Sequence, residues 1–265
     1  MNFSDLRNIR RKSLLNLLRL YKKANAGHIG SSLSCLDILL YLYFYKMNPE
    51  DKFILSKGHA ALAWYVTLYE SGKISLEELE TYYKDGTFLA AHPPTNRKIK
   101  DIVFGTGSLG HGLSLSSGLA LASQLSGKKF NVYCVLSDGD CNEGSTWEAA
   151  LFAGHHGLSN LTVIIDQNEL QGFGECKDVL DLDPFQKKWE AFNFETVIAE
   201  NGNLFESLDR TFSSLNVHSS KPKCIIAKTA KGHGVSFMEN KLEWHYLPMT
   251  DEQYNIAIDE INRNA

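Results

Sequence analysis

The chain has 265 residues, of which 43% are hydrophobic and 22% charged, a composition typical of a globular protein with a substantial core. Its formal net charge of -4 and the lack of a basic run argue against nucleic-acid binding, and no apolar stretch is long enough to span a membrane. The charged N-terminal segment lacks a signal-peptide pattern, and five scattered cysteines favour neither a disulfide framework nor a zinc site, so a cytoplasmic protein is expected.

The first part of the chain is predicted to be mainly helical. Ser4 is a suitable N-cap, and apolar residues such as Leu6 and Ile9 recur after it at helical spacing. A polar Gly/Ser loop, Asn25–Ser34, precedes a helix that is apolar on all sides and is therefore expected to be buried or to form an interface. The predicted elements are the helices Ser4–Ala24, Cys35–Lys46, Ala60–Glu70 and Ser75–Lys84, and a short strand, Phe53–Leu55.

Strand and helix patterns alternate in the rest of the chain. The near-continuous apolar runs "NVYCVL" and "LTVII" are typical of central strands in a parallel sheet. The alternation predicts an α/β fold, a three-layer parallel sheet with helices on both faces, in a single domain that spans residues 1–265. The predicted strands are Ile102–Phe104, Asn131–Leu136, Leu161–Asp166, Thr196–Ala199 and Lys223–Lys228, and the predicted helices are Ser114–Leu125, Thr146–His156 and Leu204–Leu215.

The segment "FGTGSLGHG" contains the spacing G-x-G-x-x-G at Gly105, Gly107 and Gly110, which is the fingerprint of a dinucleotide-binding loop. Such proteins bind the ribose with an acidic residue roughly 20 residues further on. Asp138 ends the next strand, but it lies 28 residues after Gly110, and the strand predicted before the loop is short. The pattern therefore indicates a phosphate site more firmly than a dinucleotide.

Two polar residues, Asp138 and Asn168, follow consecutive predicted strands and lie 30 residues apart. This is the length of one strand–helix–strand crossover, which brings both side chains to the same end of adjacent parallel strands. A carboxylate and an amide oxygen suit Mg²⁺, which takes oxygen ligands and shares its shell with phosphates. Gly139 lets the backbone approach a ligand closely, and the helix that begins near Gly144 offers an N-terminus that favours anions.

The run "DGDCNEG" followed by Asn168 resembles the thiamine-diphosphate motif, and "EGSTWEAALFAGHHGLSNLTVIIDQN" resembles the transketolase family in particular. Further segments are similar to transketolase blocks in the same order: "AGHIGSSLS", "FILSKGHA", "AAHPP", "GTGSLGHGLS" and "KTAKGHGVSFMEN". The resemblance implies a thiamine-diphosphate-binding fold that holds thiamine diphosphate with Mg²⁺ or another divalent cation such as Ca²⁺ or Mn²⁺. It also implies transfer of a two-carbon ketol unit between sugars or sugar phosphates.

The resemblance assigns roles to individual residues. Asp138 and Asn168 would ligate the cation together with the backbone carbonyl of Leu170. Glu143 would lie at the contact between subunits, where it would interact with the partner's activating carboxylate. The implied catalytic positions are His28, His92, His245 and Glu143, and the implied cofactor-binding positions are His59, Gly107, Ser108, Leu109, Asp138, Gly139, Asp140, Glu143, Asn168 and His245.

The resemblance covers only the diphosphate-binding half of a transketolase. The carboxylate that activates the pyrimidine ring has no match in this sequence, so the resemblance implies a separate C-terminal transketolase subunit that binds the pyrimidine, within an α2β2 heterotetramer. It also implies that the isolated chain is inactive. The sequence departs from the family pattern at Ser137, Ile29, His111 and Tyr246. These departures leave the cation site intact and suggest a specialised ketol transferase; Tyr246 either narrows the donor channel or shows that His245 is misaligned.

Other functions remain open at this point. The α subunit of a 2-oxo acid dehydrogenase, or a specialised sugar-pathway ketol or acyl transferase, shares the thiamine-diphosphate motif, but His28, His59 and His92 favour sugar hydroxyls over oxo acids. A dinucleotide-binding module and a non-catalytic regulatory module that binds the cofactor belong to other classes of protein. The intact pair of Asp138 and Asn168 argues against lost cofactor binding.

Overall fold

The computed structural model describes residues 2–95 and 98–263. Its strands are β1 (Lys52–Leu55), β2 (Val132–Ser137), β3 (Leu161–Gln167), β4 (Leu170–Gln171), β5 (Gly174–Glu175), β6 (Glu195–Ala199) and β7 (Lys223–Lys228). Five of them form a fully parallel sheet in the order β1-β2-β3-β7-β6, while β4 and β5 form a small antiparallel hairpin directly after β3. The predicted α/β class with a parallel sheet is therefore confirmed.

Helices cover the sheet on both sides. They are α1 (Phe3–Ala24), α2 (Ile29–Tyr41), α3 (Ala61–Glu70), α4 (Leu76–Leu79), α5 (His111–Ser126), α6 (Gly144–His155), α7 (Cys176–Leu180), α8 (Phe185–Ala191), α9 (Phe205–Ser214) and α10 (Asp251–Arg263), with 3-10 or π turns at Leu42–Lys46, Gly58–Ala60, Gly139–Asn142 and Leu242–His245. No helix in the described part of the chain combines the length and the apolar character needed to cross a membrane.

The alternating side chains of the strands separate two hydrophobic layers. In β2, Val132, Cys134 and Leu136 pack into the layer that also holds apolar residues of α5, α6 and α8. The intervening Tyr133 and Val135 pack into the opposite layer, with α1, α2, α3, α9 and α10. Both faces of the sheet are thus covered, which is the three-layer arrangement predicted from the sequence.

Helix α2 differs from its prediction. It begins at Ile29, so most of the predicted loop Asn25–Ser34 is wrong, and the predicted helix Cys35–Lys46 begins too late and ends in a π turn. The small residues of this segment permit close packing, since a Cβ on Gly30 would lie 3.1 Å from the carbonyl oxygen of Trp244. Every residue of α2 is buried within this chain, so its apolar surface belongs to the core and not to an external interface.

Two other predicted elements are also wrong. The predicted strand Ile102–Phe104 has no strand pairing and is irregular, with a bend at Phe104, so no strand leads into the glycine loop. The predicted helix Ser75–Lys84 shortens to the single turn of α4, where Ser75 forms a capping box with Glu78. Both segments have a local hydrophobic pattern, but neither pairs with the sheet or continues as a long helix.

Two helical glycines give a matched test of this packing. Gly154 in α6 is buried, and a Cβ there would collide with the carbonyl oxygen of Phe192, whereas a Cβ on the exposed Gly118 of α5 meets no atom within 4 Å. Gly154→Ala should lower the free energy of unfolding by about 1–3 kcal/mol because of overpacking. Gly118→Ala should raise it by up to about 1 kcal/mol. Urea unfolding of both variants measures the difference; equal effects would contradict the packing of α6 against Phe192.

Candidate active site

The carboxyl ends of the parallel strands form a pocket of about 260 Å³. β1 leads into Lys57, β2 into Asp138 and β3 into Asn168, and parallel pairing brings these ends to one edge of the sheet. The start of α2 and the 3-10 turn Leu242–His245 add histidines. The predicted site residues that line the pocket are His28, His59, His92, Gly107, Leu109, Asp138, Gly139, Asn168, Leu170 and His245.

The side chains of Ser108, Asp140 and Glu143 do not line this pocket. Ser108 and Glu143 are exposed, the latter as the residue before α6. Asp140 is fully buried, and its carboxylate accepts hydrogen bonds from the Gly110 N–H at 2.8 Å and the Ser56 hydroxyl at 2.6 Å. Asp140 therefore joins the glycine loop to the end of β1 from beneath, and its side chain acts on the pocket only indirectly.

The three predicted cation ligands lie in one turn after β3 and at the end of β2. Oδ2 of Asp138 accepts hydrogen bonds from the N–H groups of Asn168 at 3.1 Å and Glu169 at 3.0 Å. Glu169 has a left-handed φ of 62°, which reverses the chain so that Leu170 also lines the pocket. Oδ1 of Asn168 accepts from the Leu170 N–H at 3.2 Å. Carboxylate, amide and backbone oxygens are thus held together by the backbone of one turn.

The electrostatics of this turn fit a cation. Asp138 is only 2% exposed, and burial, followed by the nearby Asp166 carboxylate, raises its pKa to about 7. A divalent cation beside Asp138 would relieve both effects by compensating the buried negative charge. Within the described residues no group of three or more His, Cys, Asp or Glu side chains could hold a metal. A cation here would therefore depend on amide and backbone oxygens, which suits Mg²⁺ better than a transition metal.

Four histidines cluster above this turn. The ring centroid of His28 lies 5.1 Å from that of His245, 5.4 Å from that of His59 and 6.2 Å from that of His92. Burial, reinforced by neighbouring positive groups, lowers the pKa of His28 to about 4 and that of His245 to about 3. Nδ1 of His28 is buried without a hydrogen-bond partner among the described residues. These two histidines are therefore neutral near pH 7, and His28 offers an unsatisfied polar atom to a ligand.

Two buried lysines are functional candidates that the sequence interpretation did not single out. Nζ of Lys231 donates to the Leu170 carbonyl at 3.1 Å and lies 3.0 Å from Nδ1 of His245, and burial lowers its pKa to about 8. Lys57 forms an ion pair with Asp166 and donates to the Ser31 carbonyl at 3.0 Å. Both line the pocket and bring positive charge to it. The feature of the sequence that could have identified both lysines is their position next to glycines, in "SKGHA" and "KTAKGHG".

Aromatic side chains form the rim of the pocket. The hydroxyl of Tyr246 donates to the Gly172 carbonyl at 2.7 Å, and its ring centroid lies 4.8 Å from that of His245. A Cβ on Gly172 would lie 2.5 Å from the Tyr246 hydroxyl oxygen, so this contact depends on a glycine. Phe173, which is 87% exposed, extends the rim. Tyr246 therefore lies at the rim of the pocket, and His245 lies among the other histidines.

Fold and site together define the class of protein. A parallel α/β sheet gathers a glycine loop, two buried lysines and an oxygen-rich turn at its carboxyl edge, which is the arrangement of a domain that binds a phosphorylated cofactor. The family of the transketolase thiamine diphosphate binding domain matches residues 9–261. The chain belongs to this family, and its dinucleotide-like glycine spacing does not make it a dinucleotide-binding protein.

Individual relatives agree with this assignment. The chain is 39% identical to one subunit of the apulose-4-phosphate transketolase from Phocaeicola vulgatus, over 95% of this chain and 92% of that protein. It is 35% identical to the 6-deoxy-6-sulfo-D-fructose transketolase subunit SqwG of Clostridium sp. strain MSTE9, over 92% of this chain and 91% of that protein. The structure of Campylobacter jejuni transketolase matches with a TM-score of 0.89 at 29% identity, over 99% of this chain and 43% of that one. The chain thus spans less than half of that transketolase.

The neutral histidines predict a pH dependence of stability. The folded-state pKa of His28, about 4, lies below the roughly 6.5 of an unfolded histidine, so the unfolded state binds more protons between these values. Its contribution to stability is complete above about pH 6.5 and is lost as the pH falls toward 4. Asp138 contributes the opposite slope, since its pKa is raised.

The variant His28→Gln should therefore lose less stability than the wild type between pH 7 and pH 5, because glutamine does not titrate, whereas Asp138 contributes equally in both proteins. Urea unfolding at the two pH values measures this difference. His218→Gln, at an exposed position outside the pocket, is the matched control and should follow the wild type. If His28→Gln lost as much stability between pH 7 and pH 5 as the wild type, His28 would not be held neutral in the folded protein.

Proposed function

We propose that the pocket binds thiamine diphosphate with Mg²⁺ or a similar divalent cation, and that the chain serves an enzyme that moves a two-carbon ketol unit between sugars or sugar phosphates. One observation carries this proposal most directly. Asp138, Asn168 and the Leu170 carbonyl meet at the edge of the sheet, below four histidines and beside two buried lysines. A diphosphate needs the cation and the lysines, and a sugar needs the polar, neutral histidines.

The diphosphate half of the cofactor would lie against groups of this chain that balance negative charge. Asp138, Asn168 and the Leu170 carbonyl would hold the cation that neutralises the phosphates. Lys57 and Lys231 would add positive charge. Gly139 keeps the backbone accessible, since a Cβ there would lie 3.0 Å from Cδ1 of Leu109, and Leu109 would give the cofactor ring an apolar wall.

Thiamine diphosphate supplies the carbanion chemistry of the reaction when it is bound. The chain itself must orient the sugar, exclude water and hold protons at its hydroxyl groups. Because their pKa values are lowered, His28 and His245 are neutral near pH 7 and can both donate and accept hydrogen bonds. The unpartnered Nδ1 of His28 would be satisfied by a substrate hydroxyl. A 2-oxo acid would not need such a histidine set.

We also propose that the functional unit contains a second, pyrimidine-binding subunit in an α2β2 heterotetramer located in the cytoplasm, and that residues 1–265 form one domain of it. Two relatives whose length is almost fully covered by this chain are named as transketolase subunits, which supports the existence of a partner subunit. Glu143 is exposed at the start of α6, beside the glycine loop, and would contact that partner. Without the partner's carboxylate the isolated chain is expected to bind the cofactor but not to turn over.

The cofactor assignment predicts a metal-dependent affinity. By calorimetry, thiamine diphosphate should bind in the presence of MgCl₂, lose affinity in EDTA, and bind Asp138→Ala at least about 10-fold more weakly. Asp138→Ala should still fold, because burial of its carboxylate already raises the pKa and makes the charge costly. Asp178→Ala, at an exposed carboxylate on α7, is the control and should bind like the wild type. Tight NAD binding without metal, or full affinity in Asp138→Ala, would contradict the assignment.

The position of Tyr246 at the rim of the pocket predicts that this residue affects which sugar donors the enzyme accepts. The two relatives are named for different sugars, so the donor is not fixed by family membership. In the complex with the partner subunit, Tyr246→Gly should change the kcat/KM ratio between a compact and a bulky ketose phosphate by about 10-fold, as pocket-size changes do. Tyr246→Phe keeps the ring and should change this ratio less. If Tyr246→Gly left the ratio unchanged, the tyrosine would not select donors.

A further inference from the structure

A network of buried polar side chains lies beneath the proposed cation site. Asp166 in β3 is 0% exposed, and its Oδ1 accepts from the hydroxyl of Thr229. Its Oδ2 accepts from Nζ of Lys57 and from the hydroxyl of Ser34 at 2.6 Å. Ser34 is also 0% exposed, and it contributes to this set from α2. The network therefore joins the helical layer to the strand that leads to Asn168.

The hydroxyl of Ser34 has one proton and two lone pairs to distribute. The bond to the Asp166 carboxylate at 2.6 Å is charge-assisted and shorter than the alternative contact with the Ser31 carbonyl at 3.1 Å, so the proton goes to Asp166. The lone pairs then accept from Nδ2 of Asn168 at 3.4 Å and from Nζ of Lys57 at 3.4 Å. Ser34 is thereby an acceptor toward Asn168.

This direction determines which end of the Asn168 amide faces the cation site. With Nδ2 donating to Ser34, Oδ1 points the other way, where it accepts from the Leu170 N–H at 3.2 Å. A rotated amide would place Oδ1 against the lone pairs of Ser34 and would direct an NH₂ group toward the cation. Divalent cations such as Mg²⁺ take the oxygen of an amide and not its nitrogen.

We propose that Ser34 is a positioning residue for the cation site: by donating its only proton to Asp166, it fixes the amide of Asn168 with Oδ1 toward the metal. This inference rests on the proposed function of the pocket. It assigns a role in metal affinity to a serine that contacts neither the cation nor the pocket surface.

The test is the affinity of the full-length chain for MgCl₂ at a fixed concentration of thiamine diphosphate, measured by calorimetry. Ser34→Ala should weaken Mg²⁺ binding by about 10–100-fold, the usual cost of removing a group that orients a ligand. Ser32→Ala is the matched control, because Ser32 is equally buried on α2 and loses a hydrogen bond to Tyr21 at 2.7 Å outside the network. It should bind Mg²⁺ like the wild type. If Ser34→Ala did not unfold cooperatively, Ser34→Cys, with similar volume but weak hydrogen bonding, carries the same expectation.

The same substitution in an Asn168 variant separates the effect on the orientation of the Asn168 amide from a general disturbance of α2. In Asn168→Asp both terminal atoms of the side chain are oxygens, so its orientation no longer matters. Adding Ser34→Ala to this variant should lower Mg²⁺ affinity by less than about 3-fold, because the effects of the two substitutions are coupled. An equal loss in both backgrounds, or equal Mg²⁺ affinity of Ser34→Ala and Ser32→Ala, would overturn the inference while leaving the proposed function intact. A wild-type chain that binds no Mg²⁺ with thiamine diphosphate would overturn both.

Discussion

The buried ion pair of Lys57 and Asp166 is the interaction on which the site depends. Lys57 follows β1 and Asp166 lies in β3, the two strands that flank β2, so the pair joins them directly below the pocket. Removal of one partner of such a pair costs about 3–5 kcal/mol, because it leaves an unpaired buried charge. The Asp166 carboxylate also helps to raise the pKa of Asp138, an effect that Lys57 opposes, so Asp166 is the member of the pair that favours a cation beside Asp138. Structural integrity and cation binding therefore depend on one charge arrangement.

Much of the fold could be predicted from the sequence because buried parallel strands have a strong local pattern. The sequence segments that form β2 and β3 are continuously apolar. The separation of Asp138 and Asn168 in the sequence equals the length of one strand–helix–strand crossover, so their proximity in space follows from chain topology. The predicted start of helix α2 lies too late in the chain, because its glycine and serines favour loops in isolation and are helical here only through packing. Tertiary contacts override local propensity at such positions.

The charged and polar interior of the site was harder to predict. Lys57, Lys231 and Ser34 act through partners that are distant in the chain, and no local pattern specifies those pairings. Asp140 is one of the cofactor-binding positions that the resemblance implies, but the sequence does not reveal that its buried carboxylate holds the glycine loop. Sequence motifs identify which residues belong to a site, but the direction of each side chain is set by hydrogen bonds that form only in the folded chain.

The pocket as a whole holds the groups suited to a diphosphate, a cation and sugar hydroxyls, whereas the activation of the cofactor is proposed to come from a partner. Ketol transfer by the reconstituted pair tests this division of labour most directly. The chain, produced together with the pyrimidine-binding subunit of the same organism, should transfer a ketol unit from at least one ketose or ketose phosphate, only with Mg²⁺ and thiamine diphosphate. Neither chain should be active by itself. Turnover by the isolated chain, or no transfer from any donor by the pair, would contradict the proposal.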